Sequence, residues 1–340
     1  MGSVGWDKFL NNIQEQDEEI TTGKVTLLID GLNLFFRNFA ALNMINPQGA
    51  HIGGLGGFFR SLGSLIRQFT PDDIYVIFDG AGSSDNRKNL ISEYKSTRNH
   101  RVTKWEIFDS LEEEDNSKIN QIVRIVQYLK TLPVKIISLD KVEADDIIAY
   151  LSQILPKTPE DKVVIVSSDK DFIQLISNQI IVYSPIDKIF HNPENVLTRY
   201  GVLPENFILY KTLLGDTSDN IEGIRGLGKK GLIKNFPDLG VKKVDLDYIY
   251  DVSEAKYQGN MTCSRIIQKF ETLRIQYKVM DLRNPMLDNS DKTKIDQIVN
   301  SQELNFFPNK FIRMHQEDGL GGIIKDVNFW VKNIFSKYKV

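Results

Sequence analysis

Nine carboxylates stand in five short clusters between positions 30 and 219 of the 340-residue chain. Asp30 lies in IDGLN, Asp79 in IFDG, and Glu143, Asp145 and Asp146 in VEADD. Asp169 and Asp171 lie in SSDKD, Asp216 and Asp219 in GDTSDN. So many acidic side chains drawn together cannot all stay ionised unless cations lie between them. All-oxygen ligand sets select hard divalent ions. Two such ions roughly 4 Å apart clamp the attacking and leaving oxygens of an in-line phosphoryl displacement, one activating a water and the other offsetting charge on the leaving 3′ oxygen. The residues therefore read as a magnesium-dependent enzyme acting on phosphates. The simpler reading, that acids at helix starts complement the macrodipole and supply caps, accounts for one or two residues of VEADD and for Asp169, but not for the ensemble. A calcium loop at Asp216, Ser218 and Asn220 fails, because Ile221 and Leu227 occupy the positions that need Gly and Glu.

The elements that must position these residues are legible in the periodicity. KVTLLID (24–30), IYVIFD (74–79), VKIISL (134–139) and KVVIVS (162–167) read as buried strands. Helical spacing marks 54–69, 117–131 and EADDIIAYLSQIL (143–155), with a short helix at DFIQLI (171–176). IIVYS (180–184) and DKIF (187–190) suit a terminal pair of strands. Strands alternating with helices predict a mostly parallel sheet with helices on both faces, whose active site gathers at the carboxyl edge of the strands. Asp30, Asp79 and Asp169 all fall at or just beyond strand ends. From about residue 193 the strand signal fades into short helices with Pro at their starts. The last sixty residues read as helical and aromatic-rich. Residues 1–23 read as a polar, acidic arm.

Composition narrows the class. No apolar run approaches the ~20 residues of a membrane span, and the acidic N-terminus is no secretory signal. The lone Cys263 excludes an internal disulfide and a thiolate metal cluster, and four scattered histidines argue against zinc. A cytoplasmic protein is expected. The net charge of −3 looks wrong for a nucleic-acid enzyme, but setting aside the nine clustered carboxylates leaves 36 acidic against 42 basic residues. The run Glu112, Glu113, Glu114, Asp115 reads as a solvated helix entry or loop.

Two basic segments point to the substrate. GIRGLGKKG (223–231) mimics a dinucleotide fingerprint and a P-loop. It lacks the preceding strand of the first, and Lys230 replaces the Ser or Thr of the second. A tight turn at Gly226 and Gly228 between short helices, beside Lys229, Lys230 and Lys234, instead suits a helix–hairpin–helix that grips a phosphodiester backbone. The bland alternative is an inter-helix turn with solvated lysines. Residues 81–116 carry Arg87, Lys88, Lys95, Arg98, Arg101 and Lys104 with Tyr94, Trp105 and Phe108 interleaved, a pattern that suits single-stranded nucleic acid. An exposed charged insertion is the competing reading. Lys95 and Arg98 would reach the scissile phosphate.

Together IDGLN, FDG, SEYKSTR, VEADDIIA, SSDKDFIQL and GDTSDNIEGIRGLGKKG resemble the flap endonuclease / 5′→3′ exonuclease family, most closely its phage replication RNase H and 5′-exonuclease members. The motifs occur in the family's order over roughly residues 24–235. The resemblance implies a PIN-like (resolvase-like) catalytic domain over 24–192, with 81–116 as a helical arch, a helix–three-turn–helix duplex-binding region over 193–285, and a helical C-terminal region over 286–340. It implies that Asp79, Glu143, Asp145 and Asp169 bind one metal and Asp171, Asp216 and Asp219 the second. Asp30 would act through water and Asp146 behind the ligands. Tyr94, Lys95 and Arg98 match the arch, and Arg37 a basic residue near the site. The implied cofactors are two or more Mg2+, with Mn2+ as a substitute and a K+ at the hairpin. The implied task is removal of RNA primers and 5′ flaps during DNA replication, in the host cytoplasm if phage-encoded. The implied substrates are branched or nicked duplex DNA and RNA/DNA hybrid with a free 5′ end. The protein is expected to act as a monomer, with a sliding clamp or single-strand DNA-binding protein as candidate partners. Gln302–Phe306 resembles a clamp-binding peptide, against the simpler reading of a buried aromatic segment. Two competing functions are a PIN-type single-strand ribonuclease, disfavoured by the duplex-gripping hairpin, and a non-catalytic branched-DNA-binding protein, disfavoured by the intact acidic set. No family motif is found beyond about residue 285.

Overall fold

The computed structural model describes residues 23–96, 102–301 and 304–338. The expected N-terminal arm (apart from Gly23), Arg98, Arg101, Gln302 and Glu303 lie outside the described residues. Six strands form one sheet: β1 (Val25–Asp30), β2 (Asp73–Ile77), β3 (Lys135–Ile137), β4 (Lys162–Val166), β5 (Ile180–Ser184) and β6 (Ile189–His191). Their spatial order is β3-β2-β1-β4-β5-β6. Every neighbouring pair is parallel except β5 with β6. The order of winding reverses between β1 and β4, the place where such sheets open a ligand crevice beyond their carboxyl ends. Asp30 ends β1 there, and SSDKD follows β4.

The strands alternate sides as their sequence demands. Leu27 and Ile29 of β1 and Val164 and Val166 of β4 enter one core, whereas Leu28, Val163 and Ile165 enter the other. The first core is covered by α1 (Gly31–Ala41) and α2 (Gly53–Phe69). The short α3 (Asp85–Lys88), α4 (Leu111–Leu129) and α5 (Ala144–Ile154) follow. Helix α4 joins the first core and α5 the second. Beyond β6 come α6 (Pro193–Tyr200), α7 (Phe207–Leu214) and a two-stranded ladder of β7 (Gly215–Asp216) and β8 (Ile221–Glu222). The chain continues through α8 (Lys229–Asn235), α9 (Leu246–Lys256), α10 (Met261–Gln268) and α11 (Phe270–Met280), then α12 (Asn289–Asn300), α13 (Pro308–Glu317) and α14 (Val327–Phe335). The fold is thus a mostly parallel sheet with helices on both faces, followed by a helical region.

Several boundaries differ from the sequence reading. The strand expected over 134–139 is only three residues long, and a Cβ at Gly80 would lie 1.7 Å from the Leu139 carbonyl oxygen, so the two strand ends close on each other through a glycine. The helix expected from 117 begins at Leu111, capped by Ser110, whose hydroxyl accepts from the Glu113 N–H. The acidic run is therefore the first turn of that helix, where it complements the macrodipole. Its reading as solvated holds for Glu112 and Glu113 but not for Glu114, which is fully buried. Glu114 accepts from the Thr103 N–H and hydroxyl and the Lys104 N–H, and pairs with Lys118 at 2.7 Å. Burial alone would raise its pKa, but these partners outweigh it and hold it down at about 2. The C-terminal helices return to the first core: Phe311 of α13 meets Phe59 of α2 and Tyr128 of α4 edge-on at 5.3 and 5.0 Å. Among the described residues no helix is long and apolar enough to cross a membrane.

Candidate metal centre and nucleic-acid interface

Asp30 caps α1 by accepting from the Asn33 N–H, while its other oxygen accepts from the Ser167 hydroxyl at 3.1 Å. Asp79, just past β2, accepts from the Ala144 N–H at 2.7 Å and so ties that strand end to the start of α5. Asp169 accepts from the Asp171 N–H at 2.9 Å and opens a short 3-10 helix. These contacts bring the ends of β1, β2 and β4 and the start of α5 to one edge. The electrostatics agree: burial, then the charges of Asp169 and Asp30, push Asp145 well above the ordinary carboxylate range. Burial likewise lifts Asp30 to about 7, with Asp79 and Asp169 adding to the rise.

Glu143 is 2% exposed. Its Oε2 meets Arg87 at 3.0 Å and Lys95 at 3.1 Å, and its Oε1 is buried without a hydrogen-bond partner. Burial raises its pKa against the lowering pull of Arg87 and Lys95. Asp146 is placed differently: both its oxygens accept from Arg87, at 2.7 and 3.0 Å, and one also accepts from the Met286 N–H. It supports the site through Arg87 and has no oxygen left over.

On the far side, Asp171, Asp216 and Asp219 bring ligand oxygens within 4.8 Å of one another. The β7–β8 ladder delivers Asp216 and Asp219. Gly215, at φ +83°, lies so near Gly223 that a Cβ would stand 2.4 Å from its nitrogen. Lys211 of α7 reaches into this group. Its Nζ contacts Asp171 and lies 2.5 Å from Asp216. Sequence reading missed Lys211. Its only signal is that α7 ends two residues before Asp216, which places the helix's last turn beside the acids.

The donor set fits divalent ions. It is all oxygen, it carries more negative charge than its neighbours cancel, and the buried Glu143 Oε1 has no partner of its own. Asp79, Glu143, Asp145 and Asp169 share one part of the edge with Asp30, and Asp171, Asp216 and Asp219 form the other.

The basic residues separate into two groups. Arg87, expected on nucleic acid, is 3% exposed and spends its guanidinium on Asp146, Glu143 and the Val279 carbonyl. Lys104 is also buried, donating to the Ala40 carbonyl at 3.0 Å, and Tyr94 is buried with its hydroxyl 3.5 Å from Glu143. These side chains anchor the ends of the 81–116 segment; none of the three is free to meet a strand. Lys95 is half-buried at φ +56°, a strained conformation held at both ends: its N–H donates to the Asp219 carbonyl at 3.2 Å and its ammonium to Glu143. Lys88 is exposed. Arg37 is half-buried and lines a cavity of about 310 Å³ with Arg60, Arg67, Lys188 and Tyr183, of which sequence reading singled out Arg37 alone. In the hairpin, Gly226 has φ +81°, Gly228 caps α8, and a Cβ on Gly228 would meet nothing within 4 Å. Lys230 and Lys234 are exposed, and Lys229 donates to the Arg199 carbonyl.

Comparison with known proteins agrees with this geometry. Residues 25–201 match the sequence family described as 5′-3′ exonuclease, N-terminal resolvase-like domain. The chain is 29% identical to a 5′-3′ exonuclease of Aquifex aeolicus over 281 residues, covering 81% of this chain and 92% of that protein. It is 32% identical to DNA polymerase I of Bacillus subtilis over 247 residues, 71% of this chain but only 26% of that protein. The crystal structure of bacteriophage T5 flap endonuclease in complex with DNA and metal ions superposes with a TM-score of 0.62 at 20% identity, covering 91% of this chain and all of that one. At that identity the match bears on the fold.

Proposed function

Because the chain belongs to the 5′-3′ exonuclease family, whose members are metal-dependent nucleases, we propose that it is a structure-specific 5′ nuclease. Its substrates are flapped or nicked duplex DNA and RNA/DNA hybrid with a free 5′ end, and its task is removal of RNA primers and 5′ flaps in cytoplasmic DNA replication. The observation that carries this reading is the convergence of carboxylates from separate segments on one sheet edge, next to Lys95. Asp79, Glu143, Asp145 and Asp169 would hold one Mg2+ and Asp171, Asp216 and Asp219 another, with Mn2+ as a substitute. Divalent ions bound there supply the positive charge that activates water and offsets the leaving 3′ oxygen.

The chain's own residues orient the substrate around that charge. Lys95, fixed by Asp219 and Glu143, presents an ammonium at the edge where a scissile phosphate would lie, and Arg98, three residues on, would add a second. Tyr94, packed under Lys95 with 4.8 Å between ammonium and ring centre, keeps that ammonium from swinging away. Arg37 and its cavity neighbours offer further charge to the backbone. The hairpin at 223–231, within the proposed duplex-binding region 193–285, would hold the downstream duplex through Gly226 and Gly228 N–H groups, Lys230 and Lys234, with a K+ at the turn. A sliding clamp or a single-strand DNA-binding protein is the proposed partner at the fork.

The test is to incubate the full chain with 5′-flap, nicked and hybrid substrates in Mg2+ or EDTA and map products from both ends. Cleavage near the 5′ junction that stops in EDTA is expected. Cutting that persists in EDTA, or that ignores the 5′ end, would refute the reading.

A further inference from the structure

Lys211 has no task in the reaction as derived above. It sits in the last turn of α7, its side chain is 10% exposed, and its ammonium lies directly among three carboxylates. It contacts Asp171 and lies 2.5 Å from Oδ2 of Asp216. Its charge also acts on Asp219. Burial would raise Asp216, yet Lys211 and the Ser218 hydrogen bonds hold it down at about 2. The contrast with Asp30 and Asp145 lies in placement: Lys211 sits between the carboxylates of its group, whereas in the other part Arg87 and Lys95 pair with Glu143 and leave Asp30 and Asp145 raised.

An ammonium and a divalent ion cannot use the same carboxylate lone pairs at once. Any ion entering this group must first displace Lys211, and its apparent affinity is reduced by the fraction of time the lysine occupies the site. The lysine brings one charge to three carboxylates, so it relieves their repulsion only in part. We propose that Lys211 is a resident competitor for the second divalent site: it holds Asp171 and Asp216 paired and ordered when that ion is absent, and it makes the second ion the weaker of the two. This rests on the reading of Asp171, Asp216 and Asp219 as a divalent site. Lys211 is a positioning residue here, since it acts through the carboxylates. Substrate phosphates would add ligands that tip the exchange toward the ion, so that the second site fills when nucleic acid is in place.

The experiment is calorimetric titration of the full, DNA-free chain with Ca2+ alone, with thermal unfolding in parallel, for wild type, Lys211→Met, Lys211→Gln and Asp219→Asn. In wild type a strong and a weak binding step are expected, and Asp219→Asn should remove the weak one. Lys211→Met should tighten the weak step about tenfold or more, a shift of about 1.4 kcal/mol. It should also lower the melting temperature without ion and restore most of it with Ca2+. A purely structural lysine would give the loss of stability without the gain in affinity. Unchanged or weaker Ca2+ binding at the Asp219-dependent step overturns the proposal. If Lys211→Met does not fold even with Ca2+, the same affinity comparison on Lys211→Gln decides it. If Asp219→Asn leaves both steps intact, the second-site reading itself falls and takes this inference with it.

Discussion

The acidic edge has two parts that solve one electrostatic problem in opposite ways. Around Asp30 and Asp145 the described cations Arg87 and Lys95 pair with Glu143, and Lys95 offsets Asp145 only in part, so burial and mutual repulsion push Asp30 up to about 7 and Asp145 well above its ordinary range. Around Asp216 the ammonium of Lys211 is already in place, and the carboxylate is held down at about 2 despite its burial. Glu143 and Asp146 form a hinge between the two regimes, both paired with Arg87 from the foot of the charged segment. The lesson is that residue type alone does not define a metal site. What draws an external cation is negative charge that the protein's own cations leave uncancelled.

The largest effect should come from removing charge where the carboxylates are least compensated. Asp145→Asn should reduce Mg2+-dependent cleavage on the order of 10³-fold, as for loss of a charge-stabilising group, while duplex binding persists or tightens. Single-turnover rates beside filter binding would check both, and a variant that cuts like wild type would remove Asp145 from the metal set. Removing the hinge is next. Arg87→Met leaves the buried Asp146 with only the Met286 N–H and the buried Glu143 with only Lys95, and should cost about 3–5 kcal/mol in denaturant unfolding. A loss near zero would mean the guanidinium is dispensable. Lys95→Ala should slow the chemical step by about 10²-fold with a modest loss of binding. An effect confined to binding would deny Lys95 its role at the phosphate.

The effect most gradual in its onset is on stability against pH. Between pH 4 and 7 the folded chain keeps the Asp30 proton that the unfolded chain has lost. Metal-free stability should therefore fall as pH rises through that window, by at most about 1.4 kcal/mol per pH unit for one such group. Saturating Mg2+ should flatten the slope. A metal-free melting temperature that climbs across the window would reverse the assignment.

Much of this was readable in the residues. The acids at strand ends lie within or directly after apolar runs, so β1, β2 and β4 and the edge they share follow from periodicity. The mostly parallel sheet with helices on both faces follows from the alternation of strands with helices. What was not readable depends on contacts between segments far apart in the chain. Glu114 looks like one more solvated acid in a run of four, and only the return of Thr103 and Lys104 buries it. Arg87 and Lys104 look like free basic residues of a nucleic-acid-binding stretch, yet each finds acceptors in a distant element and folds inward. Lys211 lies outside every motif, because its role comes from the angle at which α7 meets the β7–β8 ladder. The clustering of Arg60, Arg67 and Lys188 with Arg37 was hidden for the same reason.

The carboxylates on this edge carry more negative charge than Arg87, Lys95 and Lys211 cancel, and a divalent ion would neutralise the remainder. Proton release on ion binding tests it most directly: Mg2+ titrations near pH 7 in buffers of low and high ionisation enthalpy, on wild type and Asp30→Asn. Wild type should give up protons as Mg2+ binds, and Asp30→Asn should give up fewer. Mg2+ binding that releases no protons in wild type, or no Mg2+ binding at all, would contradict it.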